Sequence, residues 1–256
     1  MANTVIKAEA IHKFFGKKHI LQDISLEISQ GEIFGILGPS GCGKTTLIKL
    51  ISGMLTANSG HVSVLGQSMP SKKVLRQIGY MAQSDALYLD LTARENLQFF
   101  GKVYGISRKQ LQQRINATMQ TMNLLQDLDT PVKRYSGGMK RRLSLAGALL
   151  HEPSVIILDE PTVGIDPLLR QQIWQELYRL AHGGATIILT THVMDEATKC
   201  NRLAMMRNGQ LIAQGTFTEL LHQTGTSSIE EAFIFYGGDP YARSGTDTTH
   251  SASVKA

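Results

Sequence analysis

The sequence predicts an α/β fold with a mainly parallel sheet, an antiparallel β portion near the N-terminus and an inserted α-helical subdomain. Three observations carry this. Short apolar runs bounded by turn residues alternate with helical patterns, which implies parallel strands joined by helices. A glycine-rich loop follows one of those runs directly. A block from about 90 to 150 is helical throughout. Taken in order, ISLEI (24–28) alternates apolar and polar residues before the turn residues QGE. IFGIL (33–37) is too short for a helix and suits a buried strand. TLIKLISGML follows, with Leu47, Leu50, Ile51 and Met54 at helical spacing, and residues 60–66 and 75–81 read as further strands. TARENLQFFGKVYG and SRKQLQQRINATMQTMNLLQ carry apolar residues at helical intervals, with Thr92 and Ser107 as N-caps. VIILD (155–159) and ATIILTT (185–191) return to buried β character, separated by the helical PLLRQQIWQELYRLA. The domain is expected over 1–236, its core at about 1–88 and 151–236 and its helical subdomain at about 89–150. Residues 237–256 are small and polar and are expected to be a disordered tail.

Composition narrows the function class. The chain has 256 residues, 42% of them hydrophobic, enough for one large core. Its longest uninterrupted apolar stretch is five residues, Ala232 to Tyr236, whereas a membrane helix needs about 18 or more. The start MANTVIKAEAIHKFF lacks the apolar centre of a secretory signal. Cys42 and Cys200 are too few for a disulfide framework or a four-thiolate zinc site. A cytosolic protein is therefore expected. The net charge of +5 allows an anionic partner without choosing one.

The chemistry is carried by Gly38-Pro39-Ser40-Gly41-Cys42-Gly43-Lys44-Thr45, followed by Thr46, which fits G-x-x-x-x-G-K-[ST]. In such a loop backbone N–H groups cradle phosphate oxygens, and the helix N-terminus adds a positive field. Lys44 is expected at the β- and γ-phosphates, and the Thr45 hydroxyl on Mg²⁺. Strand, loop and helix together mark a phosphate-loop (P-loop) NTPase core. VIILDEP supplies the other half: Asp159, at the end of an apolar strand, is placed for the magnesium shell. Glu160 next to it is placed to polarise a water at the γ-phosphate. A phosphate-loop kinase also fits these two motifs.

At this point the chain resembles the ATP-binding subunit of an ABC transporter. YSGGMKRR (135–142) is similar to the family signature Leu-Ser-Gly-Gly-Gln and lies shortly before VIILDEP. Gln83 in YMAQ resembles the Q-loop, VGID (163–166) the D-loop with Asp166, and His192 in TTH the switch histidine. Phe15 before Gly16 matches the aromatic that stacks on adenine, with Phe14 beside it as the rival. These motifs, in order over residues about 5 to 225, carry the resemblance, and a kinase has no use for the signature, the Q-loop or the switch histidine. The resemblance implies that Gln83 touches magnesium and the attacking water, and that His192 meets the γ-phosphate. It also implies that Ser136, Gly137 and Gly138 contact the ATP of a second ATPase subunit, with a membrane-spanning permease docked on the helical insertion. The chain would then act on the cytoplasmic face of the membrane, with no nucleic acid expected from Lys140, Arg141 and Arg142. A soluble relative working on ribosomes or DNA is the alternative, as is an importer. The sequence departs from the family at Tyr135, Met139 and Gly147, where Leu, Gln and Arg are usual. The fifth-position methionine resembles the bacterial branch that exports drugs, antibiotics or ions.

Overall fold

In the computed structural model, residues 3–84 and 86–238 are described. The tail expected over 237–256 falls outside them from residue 239 onward. A four-stranded antiparallel sheet opens the chain, from β1 (Thr4–Phe15), β2 (Lys18–Ser29), β4 (Ser59–Val64) and β5 (Gln67–Ser68), in the order β2-β1-β4-β5. Between β2 and β4 lie β3 (Ile33–Leu37) and α1 (Lys44–Ile51), and α2 (Lys72–Leu75) and β6 (Ile78–Met81) follow β5. Next come α3 (Ala93–Val103), α4 (Arg108–Thr121) and α5 (Gly137–Leu149), then β7 (Val155–Asp159), α6 (Pro167–His182) and β8 (Thr186–Thr191). The described chain ends through α7 (Met194–Ala197), β9 (Arg202–Arg207), β10 (Gln210–Gly215), α8 (Phe217–Thr224) and α9 (Ile229–Tyr236). A six-stranded sheet in the order β10-β9-β3-β8-β7-β6 is parallel except where β10 meets β9.

The two apolar cores follow from the pleat. Successive side chains of a strand leave opposite faces. Ile33, Leu37, Ile156, Leu158, Ile187 and Leu189 therefore join one cluster with α4, α5 and α6. Phe34, Ile36, Val155, Ile157 and Ile188 join another with α1 and the antiparallel sheet. Every residue of β3, β7 and β8 is buried, as a parallel sheet covered on both sides requires. The same alternation sends Asp159 and its register partner Thr190 to the face that α1 covers. Sheet order and pleat thus bring a carboxylate to the first turn of α1.

Three local expectations are corrected. The strand read over 75–81 is confined to Ile78–Met81, because Lys72–Leu75 is a helical turn that buries Val74 in the core. The helix read through TLIKLISGML stops at Ile51, since Gly53 takes φ +76° just after the Ser52 cap and turns the chain away. The N-terminal β portion is longer than ISLEI, with two strands of 12 residues each. Both helix caps named from the sequence hold their positions but act differently. Thr92 forms a reciprocal capping box with Glu95, whereas the Ser107 hydroxyl donates to the Gln110 side chain, 2.8 Å away.

Candidate active site

The phosphate loop joins β3 to α1 at the C-terminal edge of the parallel sheet, where ligands bind in open α/β sheets. Two glycines are dictated by space. A Cβ on Gly38 would lie 2.3 Å from the Met206 carbonyl oxygen, and Gly43 takes φ +109° with Leu21 packed against it. Gly43 is also the N-cap of α1 and brings no side chain to the helix start. The first-turn N–H groups of α1 therefore face the loop without an acidic residue among them. Lys44 is buried, and its ammonium donates to the carbonyls of Gly38 (2.7 Å) and Pro39 (3.0 Å). Cys42 is a free, buried thiol whose pKa burial pushes up against the opposing pull of Lys44. It packs in the core rather than reacts.

Asp159 meets the loop directly. The Thr45 hydroxyl donates to Asp159 Oδ2 at 2.9 Å, and Thr190 donates to the other carboxylate oxygen at 2.5 Å. Hydroxyl and carboxylate oxygens are hard donors, and this pair suits a small cation that shares its shell with phosphates and water. Glu160 is the junction of the remaining groups. His192 Nδ1 lies 3.0 Å from Glu160 Oε1, and Gln83 Nε2 donates toward Glu160 Oε2 at 3.5 Å. Glu160 holds φ +51°, a left-handed backbone that costs a non-glycine residue on the order of 1–3 kcal/mol. Its N–H is gripped by the Thr190 carbonyl (3.2 Å) and hydroxyl (3.1 Å).

A cleft of about 290 Å³ gathers Phe15, Ser40, Gly41, Gly43, Lys44, Thr45, Thr46, Gln83 and Glu160 on one wall or another. Phe15 is half exposed there, with Lys13 5.3 Å from its ring centre. Phe14 stacks on His19 at 4.0 Å and does not line the cleft. A larger cleft of about 560 Å³ is lined by Gln30, Ser154, Ala185 and Thr186, before the N-terminal ends of β3 and β7 and at that of β8. It belongs to the opposite edge of the sheet.

The signature residues stand apart. Ser136, Gly137, Gly138 and Asp166 do not line the cleft. Ser136 caps α5 by accepting from Met139 N (3.2 Å), and Asp166 caps α6 by accepting from Leu169 N (3.0 Å). A Cβ on Gly138 would meet the Gly164 carbonyl at 3.3 Å, so signature and D-loop are neighbours. The departures from the family signature pack inward. Tyr135 is buried, donates to the Asp127 carbonyl (2.8 Å), and has its pKa pushed up to about 12 by burial. Met139 packs against the larger core, and Gly147 lies against Phe100, whose Cδ2 would be 3.4 Å from an added Cβ.

Three residues that sequence reasoning missed hold this geometry. Thr190 fixes both Asp159 and the Glu160 backbone. Glu196, buried and with its pKa raised by burial, accepts hydrogen bonds from Thr191 (2.7 Å) and Thr162. It thereby joins the chain before His192 to the chain after Glu160. Arg141 reaches four backbone carbonyls around Gln83 and Glu160. One signal was available: Arg141 precedes Leu145 by four residues and Ala148 by seven, on the apolar side of α5.

Known proteins carry the same architecture. A family profile described as ABC transporter matches residues 21–163. A Nod factor export ATP-binding protein of Rhizobium meliloti (strain 1021) is 39% identical over 254 residues, covering 98% of this chain and 75% of its own. A linearmycin resistance ATP-binding protein of Bacillus subtilis (strain 168) is 39% identical over 241 residues, covering 90% and 78%. Among solved structures, an ATP-binding subunit of an ABC transporter superposes with a TM-score of 0.85 at 27% identity, over 91% of this chain and 99% of the other. A dimeric post-hydrolysis ATP-binding cassette bound to ADP and Pi does so with a TM-score of 0.76 at 25% identity, over 82% and 98%. Profile, relatives matched over nine-tenths or more of this chain, and superposed structures agree with the loop-and-carboxylate geometry, and the chain belongs to the ABC transporter family as an ATP-binding, ATP-hydrolysing subunit.

Proposed function

We propose that this subunit powers an exporter by closing head to tail on a second ATPase subunit, each ATP lying between Lys44 of one and Ser136 of the other. The observation that supports the reading is the bonded pairing of Thr45 with Asp159 and, at the next residue, of Glu160 with His192 and Gln83. Gly38 to Thr46 would wrap the phosphates, with Lys44 on the β- and γ-groups and Phe15 against adenine. Thr45, Asp159 and Gln83 would hold Mg²⁺, which when bound neutralises β- and γ-phosphate charge. Glu160 takes a proton from water as its oxygen attacks the γ-phosphorus, the bond to the β-phosphate oxygen breaks, and ADP and phosphate leave. His192 orients Glu160 and meets the γ-phosphate.

Ser136, Gly137, Gly138 and Asp166 complete the partner's site, which accords with their lying outside the subunit's own cleft. The solved relative described as a dimer bound to ADP and Pi supports this arrangement. Functionally the core is residues 1–88 and 151–236, and the helical subdomain 89–150 is the docking element for a permease. Leu89, Phe99 and Val103 are exposed there and offer apolar surface. Among the described residues no helix is long and apolar enough to cross a membrane. Export is supported by the relative named for Nod factor export, and a place on the cytoplasmic face belongs to the same proposal.

The test is steady-state hydrolysis beside nucleotide binding. Glu160→Gln should keep ATP affinity while turnover falls by about 10²-fold or more, the scale of a lost general base. Lys44→Ala should lose affinity. Normal hydrolysis by Glu160→Gln would refute the role given to that carboxylate.

A further inference from the structure

A single guanidinium joins the helix that begins at the signature to both segments that carry the hydrolytic side chains. Arg141 lies five residues after Ser136 on α5 and is 7% exposed. Its Nη1 donates to the carbonyls of Ala82 (2.9 Å) and Gln83 (2.8 Å). Its Nη2 donates to the carbonyl of Glu160 (2.6 Å) and to that of Asp159. A planar fork of fixed donors can span two pairs of acceptors in this way, whereas a lysine presents one point charge. The residues so held are those whose side chains meet, since Gln83 donates toward Glu160. Glu160 moreover keeps a left-handed backbone that only its surroundings can maintain. Its N–H is held by Thr190 and its carbonyl by Arg141.

We infer that Arg141 is a positioning residue for hydrolysis, carrying a displacement of the signature helix to the peptides of Gln83 and Glu160 in the same subunit. The inference rests on the head-to-tail reading above, in which Ser136 engages the partner's ATP. A subunit that grips its partner's nucleotide thereby aligns its own carboxylate, and the two ATP sites of a dimer become coupled. Asp159 shares the clamp, so the carboxylate facing Thr45 is held in the same unit as Glu160. A group that acts in this way affects the chemical step more than nucleotide binding, because Arg141 is not among the residues lining the cleft.

The experiment measures kcat, KM and the Hill coefficient for ATP on the full chain carrying Arg141→Met or Arg141→Lys, each alone and with Ser136→Ala. Thermal melting is recorded alongside. Arg141→Met is expected to keep KM within about threefold while kcat falls about tenfold or more, the scale of a slightly misplaced catalytic group. Its Hill coefficient should fall toward one. Arg141→Lys should recover part of kcat. Adding Ser136→Ala should lower the Hill coefficient no further, because both changes cut one line of coupling. Unchanged kcat and Hill coefficient in folded Arg141→Met would overturn the inference, as would a Hill coefficient that Ser136→Ala lowers further in the double variant. A lower melting point with kcat intact at saturating ATP would also overturn it and leave Arg141 structural. Should Arg141→Met fail to fold, Arg141→Lys decides: lowered kcat at unchanged KM supports the role and unchanged kcat removes it. Failure of the head-to-tail reading is seen separately, in a wild-type chain that hydrolyses ATP without dimerising.

Discussion

Glu160 and His151 show what single side chains contribute, one to the chemistry and one to the scaffold beside it. Glu160 sits where strand β7 ends, with a backbone that a glycine would adopt more cheaply, and it stays there because Thr190 and Arg141 hold both ends of its peptide unit. His151 lies between α5 and β7, stacked on Tyr104 with ring centres 3.6 Å apart, and Nε2 is 3.2 Å from the Ile78 carbonyl. Burial, the largest cause, lowers its pKa to about 4 from an ordinary 6.5. Between those values the unfolded chain binds a proton that the native protein refuses, so stability falls as pH falls through that window. Chemical denaturation at pH 7 and pH 5 should therefore show wild type losing roughly 1–2 kcal/mol more than His151→Phe, which keeps the ring and removes the titration. Parallel losses in the two proteins would mean that His151 is not held neutral.

Elements of the helical subdomain depend on caps and on sparse apolar stripes. α3 starts with the Thr92–Glu95 capping box, in which Glu95 N donates to Thr92 Oγ1 (3.2 Å) and Thr92 N to Glu95 Oε2 (2.7 Å). Thr92→Ala should cost about 1 kcal/mol in urea unfolding, and no loss would show that packing alone starts the helix. α4 buries only Leu111, Ile115 and Met119, a spacing of four that was legible in the sequence. β3 and β7 were legible to the residue, because an apolar run of five between turn residues admits little else. β10 gave no such signal, since it alternates weakly and is half exposed at the sheet edge, whereas β9 carries an apolar run, Leu203 to Met206, bounded by arginines rather than by turn residues. In the sequence Arg141 is the middle of a basic run, Lys140 to Arg142. Charge hid its burial, because what it satisfies is backbone carbonyls that no side-chain pattern announces.

At the scale of the whole molecule, the sheet order and the pleat decide where the site lies. Asp159 and Thr190 share a register position on the face covered by α1, so distant motifs meet without any sequence proximity. Ser40, Gly41, Gly43, Lys44, Thr45 and Thr46 of the phosphate loop share one cleft with Gln83 and Glu160, while the signature and D-loop adjoin elsewhere, Gly138 beside Gly164. Motif spelling located both surfaces; only the folded chain separates them, and that separation accords with the second subunit proposed above. The most direct measurement is the mass in solution of Glu160→Gln with and without ATP, compared with the same chain carrying Ser136→Ala. The account predicts an ATP-dependent dimer that Ser136→Ala weakens while each monomer still binds ATP. A monomer that stays monomeric with ATP bound, or a dimer indifferent to Ser136, would contradict it.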